Sequence, residues 1–205
     1  MNLDNFLFAL LGAFAMLVAA IAAGAKEYIA AFFRKLAKNV EKEKRTYAHG
    51  VQRIADFHKF LEHIGRFDFV DRLLVFTGTN CGGVPDPKKP YVVKCFYGWS
   101  SLPGKNPERL YDFPLKVDYH YVKLILEMLE KGCVTIEISK LPDDCQLKTY
   151  YTAEGVHTSI MYQLHISETE LIYISIANYT KGFDSLEEGQ IDLSIDRIRS
   201  ILSEE

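Results

Sequence analysis

The chain is poor in cysteine, tryptophan and net charge, and each scarcity excludes something. Four cysteines are spread over 205 residues, at 81, 95, 133 and 145. No two of them stand at the close spacing of a zinc knuckle, so no metal site is expected and buried thiols are the simpler fate. A formal net charge of −3 and a pI near 6.1 leave no basic footprint for phosphate backbones, so nucleic acid is not an expected partner. Internal repeats and low-complexity tracts are also missing. A hydrophobic content of 48% and an aromatic content of 13% suffice for a real core and argue against disorder.

A long run near the start of the chain lacks charge altogether. Residues 6–25, FLFALLGAFAMLVAAIAAGA, carry no charged side chain, and twenty residues of helix span roughly 30 Å, the thickness of a bilayer core. A transmembrane anchor over 1–25 is therefore expected. Ala23-Gly24-Ala25 resembles a signal-peptide cleavage site, but no Lys or Arg precedes the run and Asp4 is acidic, so the basic leader of such a peptide is missing. Lys26, Arg34, Lys35, Lys38, Lys42, Lys44 and Arg45 follow the run. That bias predicts a single-pass protein of the cell inner membrane, its N-terminus outside and its domain in the cytoplasm, with reduced thiols.

Beyond the anchor, 26–64 reads as a juxtamembrane amphipathic helix and linker. KEYIAAFFRKLAK suits a membrane interface. Tyr47, Val51, Ile54, His58 and Leu61 then recur at steps of three and four, an apolar seam. The seam either packs on its own domain or pairs with a second copy to form a homodimer; Gly50 within it argues against a long rigid coiled coil. Residues 65–205 form the expected domain. Leu73–Phe76, Tyr91–Tyr97, the alternating Val134–Ile138, and the hairpin Ile160–Ile166 and Leu171–Ala177 read as strands. Val117–Lys131 reads as a helix stopped by Gly132, and a closing helix at about 185–203 opens on Ser185 with Glu188 as a capping box. The fold class expected is α+β: a mostly antiparallel sheet of about five strands, with helices gathered on one face.

The segment EGVHTSIMYQLHISETELIYISIANYTKGFDSLEEGQIDLSIDRIRSIL carries Gly155-Val156 entering a strand, a hairpin, Phe183 followed by Glu187 and Glu188, and an amphipathic end. This arrangement resembles the second half of a GAF domain, a relative of PAS, and the resemblance extends over about 40–203. It implies a sensory or ligand- or partner-binding domain without catalytic activity and without an obligatory cofactor. The Asn-Lys pair of cyclic-nucleotide GAF domains is not reproduced, since Tyr179 and Thr180 separate Asn178 from Lys181. The bilin-attachment cysteine has no counterpart. The stretch TGTNCGGVPDPKKP, 77–90, is similar to an Asn-Gly-Gly segment in membrane-anchored proteins of bacteria and phages, with Cys81 inserted.

That stretch holds three of the chain's seven prolines, and no helix opens after its glycines, so it is not a phosphate cradle. Cys81 could be activated by His157 or His120 only through space, and no local signature marks such a pair. Asp143-Asp144 and Glu187-Glu188 read as caps and solvated faces, and Lys88-Lys89 as a loop edge. Glycines let a ligand approach the backbone and Asn80 offers a donor and an acceptor. Asn80, Gly82 and Gly83 are thus the candidate ligand- or partner-facing rim, with Trp99 nearby in its Gly/Ser setting. The alternative role is that of a phage or host structural protein making contacts at the inner membrane, with an enzyme of unrecognised class third. No kinase- or cyclase-like sequence follows the domain in this chain, so a sensor is expected to signal through a partner protein or its own oligomer.

Overall fold

Arg72, Leu74 and Phe76 alternate with Leu73 and Val75, and the strand they form is buried on both faces. The computed structural model describes residues 34–35, 37–39, 41–80, 85–89, 91–102 and 115–203. The chain divides into two units, 1–52 and 53–205. Described residues of the first unit are helical, and Tyr47 (78% exposed) and Val51 (48%) lie open. Among the described residues no helix is long and apolar enough to cross a membrane. The expected anchor, 6–25, lies outside the described residues.

Helical assignments run through 41–65, and the part within the second unit, 53–65, is α1. After it come β1 (Arg72–Thr79), β2 (Val92–Ser100), β3 (Leu115–Lys116), α2 (Tyr119–Lys131) and β4 (Cys133–Glu137). A short 3₁₀ turn follows (Ile138–Lys140), then α3 (Gln146–Glu154), β5 (Thr158–Ile166), β6 (Glu170–Asn178) and α4 (Ser185–Ser203). The strands form one six-stranded sheet in the order β3-β2-β1-β6-β5-β4, antiparallel at every pairing. Five are the long strands expected; the sixth, β3, is a two-residue addition at the edge.

The helices do not gather on one face. Leu73, Val75, Ile160, Ile174 and Ile176 meet Phe57, Leu61 and Ile64 of α1 and Ile191, Ile195 and Ile198 of α4. On the other face Leu74, Phe76, Cys95, Met161 and Tyr173 meet Tyr121, Ile125 and Met128 of α2 and Leu147 and Tyr151 of α3. The central strands β1, β5 and β6 are apolar on both sides, so both sides need a cover.

This packing divides the expected seam. Leu61 is 1% exposed and belongs to the core of the second unit, whereas Ile54 is 60% exposed. The residues buried by α1 are Phe57, Leu61 and Ile64, a stripe at steps of four and three that starts one residue earlier in the turn than the seam did. The start of α1 is tied down by Arg53, whose Nε and Nη2 donate to the Ile201 carbonyl at 3.1 and 2.7 Å. That places a cation on the carbonyl-rich end of α4.

Two caps were misplaced or invisible in the sequence. At α4 the reciprocal box is Asp184 with Glu187, one residue ahead of the Ser185–Glu188 pair. Asp184 Oδ1 accepts from the amides of Leu186 and Glu187 at 2.9 Å each, and Glu187 accepts from the Asp184 amide at 3.0 Å. Asp118 caps two helices with one carboxylate. Its Oδ1 accepts from the Tyr121 amide at 2.8 Å, and its Oδ2 from the Gln146 amide at 2.6 Å, 28 residues along the chain. With each cap worth about 1 kcal/mol, Asp118→Ala should cost about 2 kcal/mol in urea unfolding. Asp118→Asn keeps only one acceptor and should cost about half of that. A cost near zero for Asp118→Asn, beside about 1 kcal/mol for Asp118→Ala, would show that the bridge to α3 contributes nothing.

Candidate functional site

Of the expected rim, Asn80 and Trp99 lie among the described residues, and they stand apart. Asn80 is buried just beyond β1, and its Nδ2 donates to the Asp86 carbonyl at 3.3 Å, which ties the loop back on itself. Asp86 also closes the turn 86–89, accepting from the amides of Lys88 and Lys89 at 2.9 Å each. Gly82 and Gly83, with Cys81, lie outside the described residues. Trp99 stands opposite Leu73, while Thr79 stands opposite Val92. Six residues of strand separate the two positions, roughly 20 Å at 3.3 Å per residue, so Trp99 is at the far end of the β1–β2 pair from Asn80. Its ring lies against Gly65, where a Cβ would come within 3.2 Å of ring atoms, and it belongs to the α1–α4 side. The glycine at 78 is accounted for without any ligand: a Cβ there would collide with the Tyr91 hydroxyl.

The α2–α3 side of the sheet buries one charged group and a chain of hydroxyls. Arg72, on β1, points to the same face as Leu74 and Phe76 and is 2% exposed. Its Nη1 donates to Glu154, the last residue of α3, in a direct ion pair. Its guanidinium carbon lies 4.9 Å from the centre of the Tyr151 ring, a cation–π contact. Arg72 Nε and Nη2 are buried and have no hydrogen-bond partner among the described residues. Beside them the Tyr151 hydroxyl reaches Ser175 Oγ at 3.0 Å, and Ser175 Oγ reaches Ser159 Oγ at 2.9 Å. Ser159 also donates to the Ile176 carbonyl at 3.2 Å. Further along the face the hydroxyls of Tyr121 and Tyr173 meet at 2.5 Å, with Tyr173 stacked on Phe76.

This setting keeps the hydroxyls and the nearby thiol protonated. Burial drives the Tyr121 and Tyr173 phenols far above their ordinary range. Burial pushes the Cys95 thiol up to about 11, against the lowering pull of hydrogen bonds and of the Arg72 charge. The face therefore offers one cation and several neutral donor–acceptor groups, not a nucleophile with a base. His120 instead lies 3.2 Å from the exposed Asp144, and His157 Nδ1 meets the Thr158 hydroxyl at 2.9 Å. Among the described residues no cluster of three or more His, Cys, Asp or Glu side chains could hold a metal.

Two other features resemble sites and are explained structurally. An open groove of about 760 Å³ runs beside Gly132, Gln163, His165, Asp196 and Arg199. Arg199 there already donates to the Gln163 and Gly132 carbonyls and to Asp196, so it holds β5 to α4. Asn178 caps a loop: Oδ1 accepts from the amides of Thr180 and Lys181, and Nδ2 donates to the Phe69 carbonyl. Lys181 pairs with Glu187 at the surface.

Sequence reasoning missed Arg72, Tyr151, Glu154, Ser159 and Ser175 as a group. One signal was present. An arginine two residues before Leu74, on the same parity as Leu74 and Phe76, is a charge aimed inward. The apolar run begins at Leu73, one residue after the strand's true start at Arg72. Nothing in the sequence joins it to Glu154, 82 residues away.

No protein-family model matches the chain, and no curated protein matches it in sequence. Solved structures do. A GAF domain of a two-component sensor histidine kinase from Bacillus halodurans superposes with a TM-score of 0.51 at 8% identity, covering 72% of this chain and 91% of that one. A GAF domain/HD domain protein from Geobacter sulfurreducens gives 0.52 at 12% identity over 74% and 90%. A phycoerythrobilin-bound GAF domain from a cyanobacterial phytochrome gives 0.50 at 11% over 76% and 93%. At these identities the likeness is one of fold, and the fold of this chain is that of a GAF domain.

Proposed function

We propose that the second unit is a non-catalytic sensory domain that holds a small ligand on the sheet face covered by α2 and α3. The observation that carries this reading is the difference between the two faces. The α1–α4 face is mainly aliphatic and aromatic, its buried polar groups being Ser194 and Tyr162, with Thr158 and Asn178 at the end of the sheet. The α2–α3 face buries Arg72, Ser159, Ser175 and three tyrosines. Polar groups are costly to bury and add little stability over an apolar core of the same volume, whereas a few convergent polar groups in an apolar wall suit ligand recognition. The neighbours lend support: one belongs to a sensor histidine kinase, and another is named with its bilin bound. In this reading residues 6–25 anchor the chain in the inner membrane and the domain works on the cytoplasmic side, a part that rests on the hydrophobic run and the basic flank alone.

The second reading, a protein that works through contacts with other chains, is favoured by the exposed Tyr47, Val51 and Ile54. Apolar side chains aligned along a helix suit a second copy of that helix. The two readings combine if a ligand alters how copies pair.

Native mass spectrometry of the full chain released from detergent should show a non-covalent adduct that denaturation removes. A chain that emerges bare from cells and shifts its melting midpoint with no compound of a metabolite library would sink the ligand reading. Oligomer mass should fall in the Val51→Lys/Ile54→Lys variant with the melting midpoint unchanged, whereas Leu61→Lys should unfold the domain, since it places a charge in the core. A parent chain that is monomeric at high concentration would end the pairing proposal. The chain should stay with the membrane pellet after alkaline carbonate extraction, and its release into the supernatant would remove the anchor.

A further inference from the structure

Arg72 uses the wrong part of its side chain for a purely structural ion pair. A guanidinium grips an oxyanion best along the edge formed by Nε–H and Nη2–H, two parallel donors matched to two oxygens. Glu154 takes Nη1 and leaves that edge open. Both edge nitrogens are buried and without a partner among the described residues. A buried donor left unsatisfied costs as much as a lost hydrogen bond, and a charged one costs more. Two such donors on one group, already in the preferred geometry, match the two oxygens of one oxyanion.

We propose that the Nε–Nη2 edge of Arg72 is the docking point for a single carboxylate of a small ligand, with Glu154 as the gate residue beside it. The inference rests on the ligand-binding reading above and names the chemistry of the ligand. The ligand's size of charge follows from the surroundings. Arg72 carries one positive charge, so with Glu154 turned aside a monoanion matches it, whereas a dianionic phosphate leaves one negative charge over. A monoanion needs only the open edge. The Tyr151, Ser159 and Ser175 hydroxyls are neutral and can donate or accept, as an uncharged part of the ligand would require.

Access comes from the side of α3. Arg72 is 2% exposed, but the Glu154 side chain is 30% exposed, so the pair is open to water on the glutamate side alone. Glu154 is the last residue of a nine-residue helix that buries only Leu147 and Tyr151. The next residue, Gly155, has φ 77°, a left-handed turn that glycine adopts without strain. Swinging Glu154 outward uncovers the guanidinium without disturbing the sheet. An incoming carboxylate replaces like with like, so the arginine charge is never left bare.

The test uses acetate as the probe and the full chain in a non-ionic detergent. Its melting midpoint is followed as sodium acetate replaces sodium chloride at constant ionic strength, with phosphate in a parallel series. A binder of the native state raises the midpoint in a saturable manner. Acetate should do so, and phosphate should do so less. Glu154→Gln removes the competing negative charge, and the acetate dissociation constant should fall by about tenfold. Arg72→Met combined with Glu154→Gln removes both charges, so no buried ion is left alone, and that variant should fold and ignore acetate. The proposal is overturned if acetate acts no better than chloride on both the parent and Glu154→Gln, if the double variant responds like the parent, or if phosphate is the stronger ligand. An adduct that the double variant holds as tightly as the parent would leave the ligand-binding reading standing and remove Arg72 from it. Absence of any adduct or acetate effect removes both.

Discussion

One buried charge constrains more of this domain than any other contact. Arg72 sits on the central strand, where water cannot reach its guanidinium. Every neighbour on that face has to answer it: Glu154 with a carboxylate, Tyr151 with a ring face, Ser175 and Ser159 with a chain of hydroxyls behind that ring. Since Glu154 and Tyr151 both lie on α3, the position of that short helix is bound to one residue of β1. The far end of α3 is held by Asp118, which also starts α2. A charge pair and a shared cap thus connect the sheet, α2 and α3, whereas the opposite face relies on aliphatic packing, which is not directional.

The division of labour between the faces follows from the chemistry of burial. Hydrophobic surface stabilises wherever it meets other hydrophobic surface, so Ile191, Ile195 and Ile198 can seat α4 on Ile174 and Ile176 with no special geometry. Polar groups stabilise only in pairs of correct geometry. Clustering them on one face confines the demanding geometry to one place and leaves the other face to hold the fold.

Strand and helix positions were legible because periodicity survives local ambiguity. The alternation of Val134 and Ile136, the 160–177 hairpin and the stripe Ile191, Ile195 and Ile198 each appear where the pattern put them. Boundaries were less secure. Thr77–Thr79 read as loop because it follows Phe76 with small residues and a glycine, yet it pairs on both sides with β2 and β6. Neighbouring strands decided that. The seam divides for a related reason: Leu61 closes on the core while Ile54 stays open, and only the presence of α4 and the sheet selects which side of the helix is covered.

Composition, period and turn residues determined by themselves that this chain carries an α+β domain with a closing helix, behind an uncharged run and a basic flank. Those signals are short in range, and the physics that writes them, helical and strand periodicity and the cost of burying charge, acts on neighbours in the chain. The tertiary structure decided the site. It separated Trp99 from Asn80 by the length of a strand, and brought Arg72 to Glu154, Tyr151 and Ser175 from three separate elements. Such a cluster depends on which strand lies beside which and on which side a helix crosses. Residues that meet only through that arrangement leave no spacing in the sequence to read.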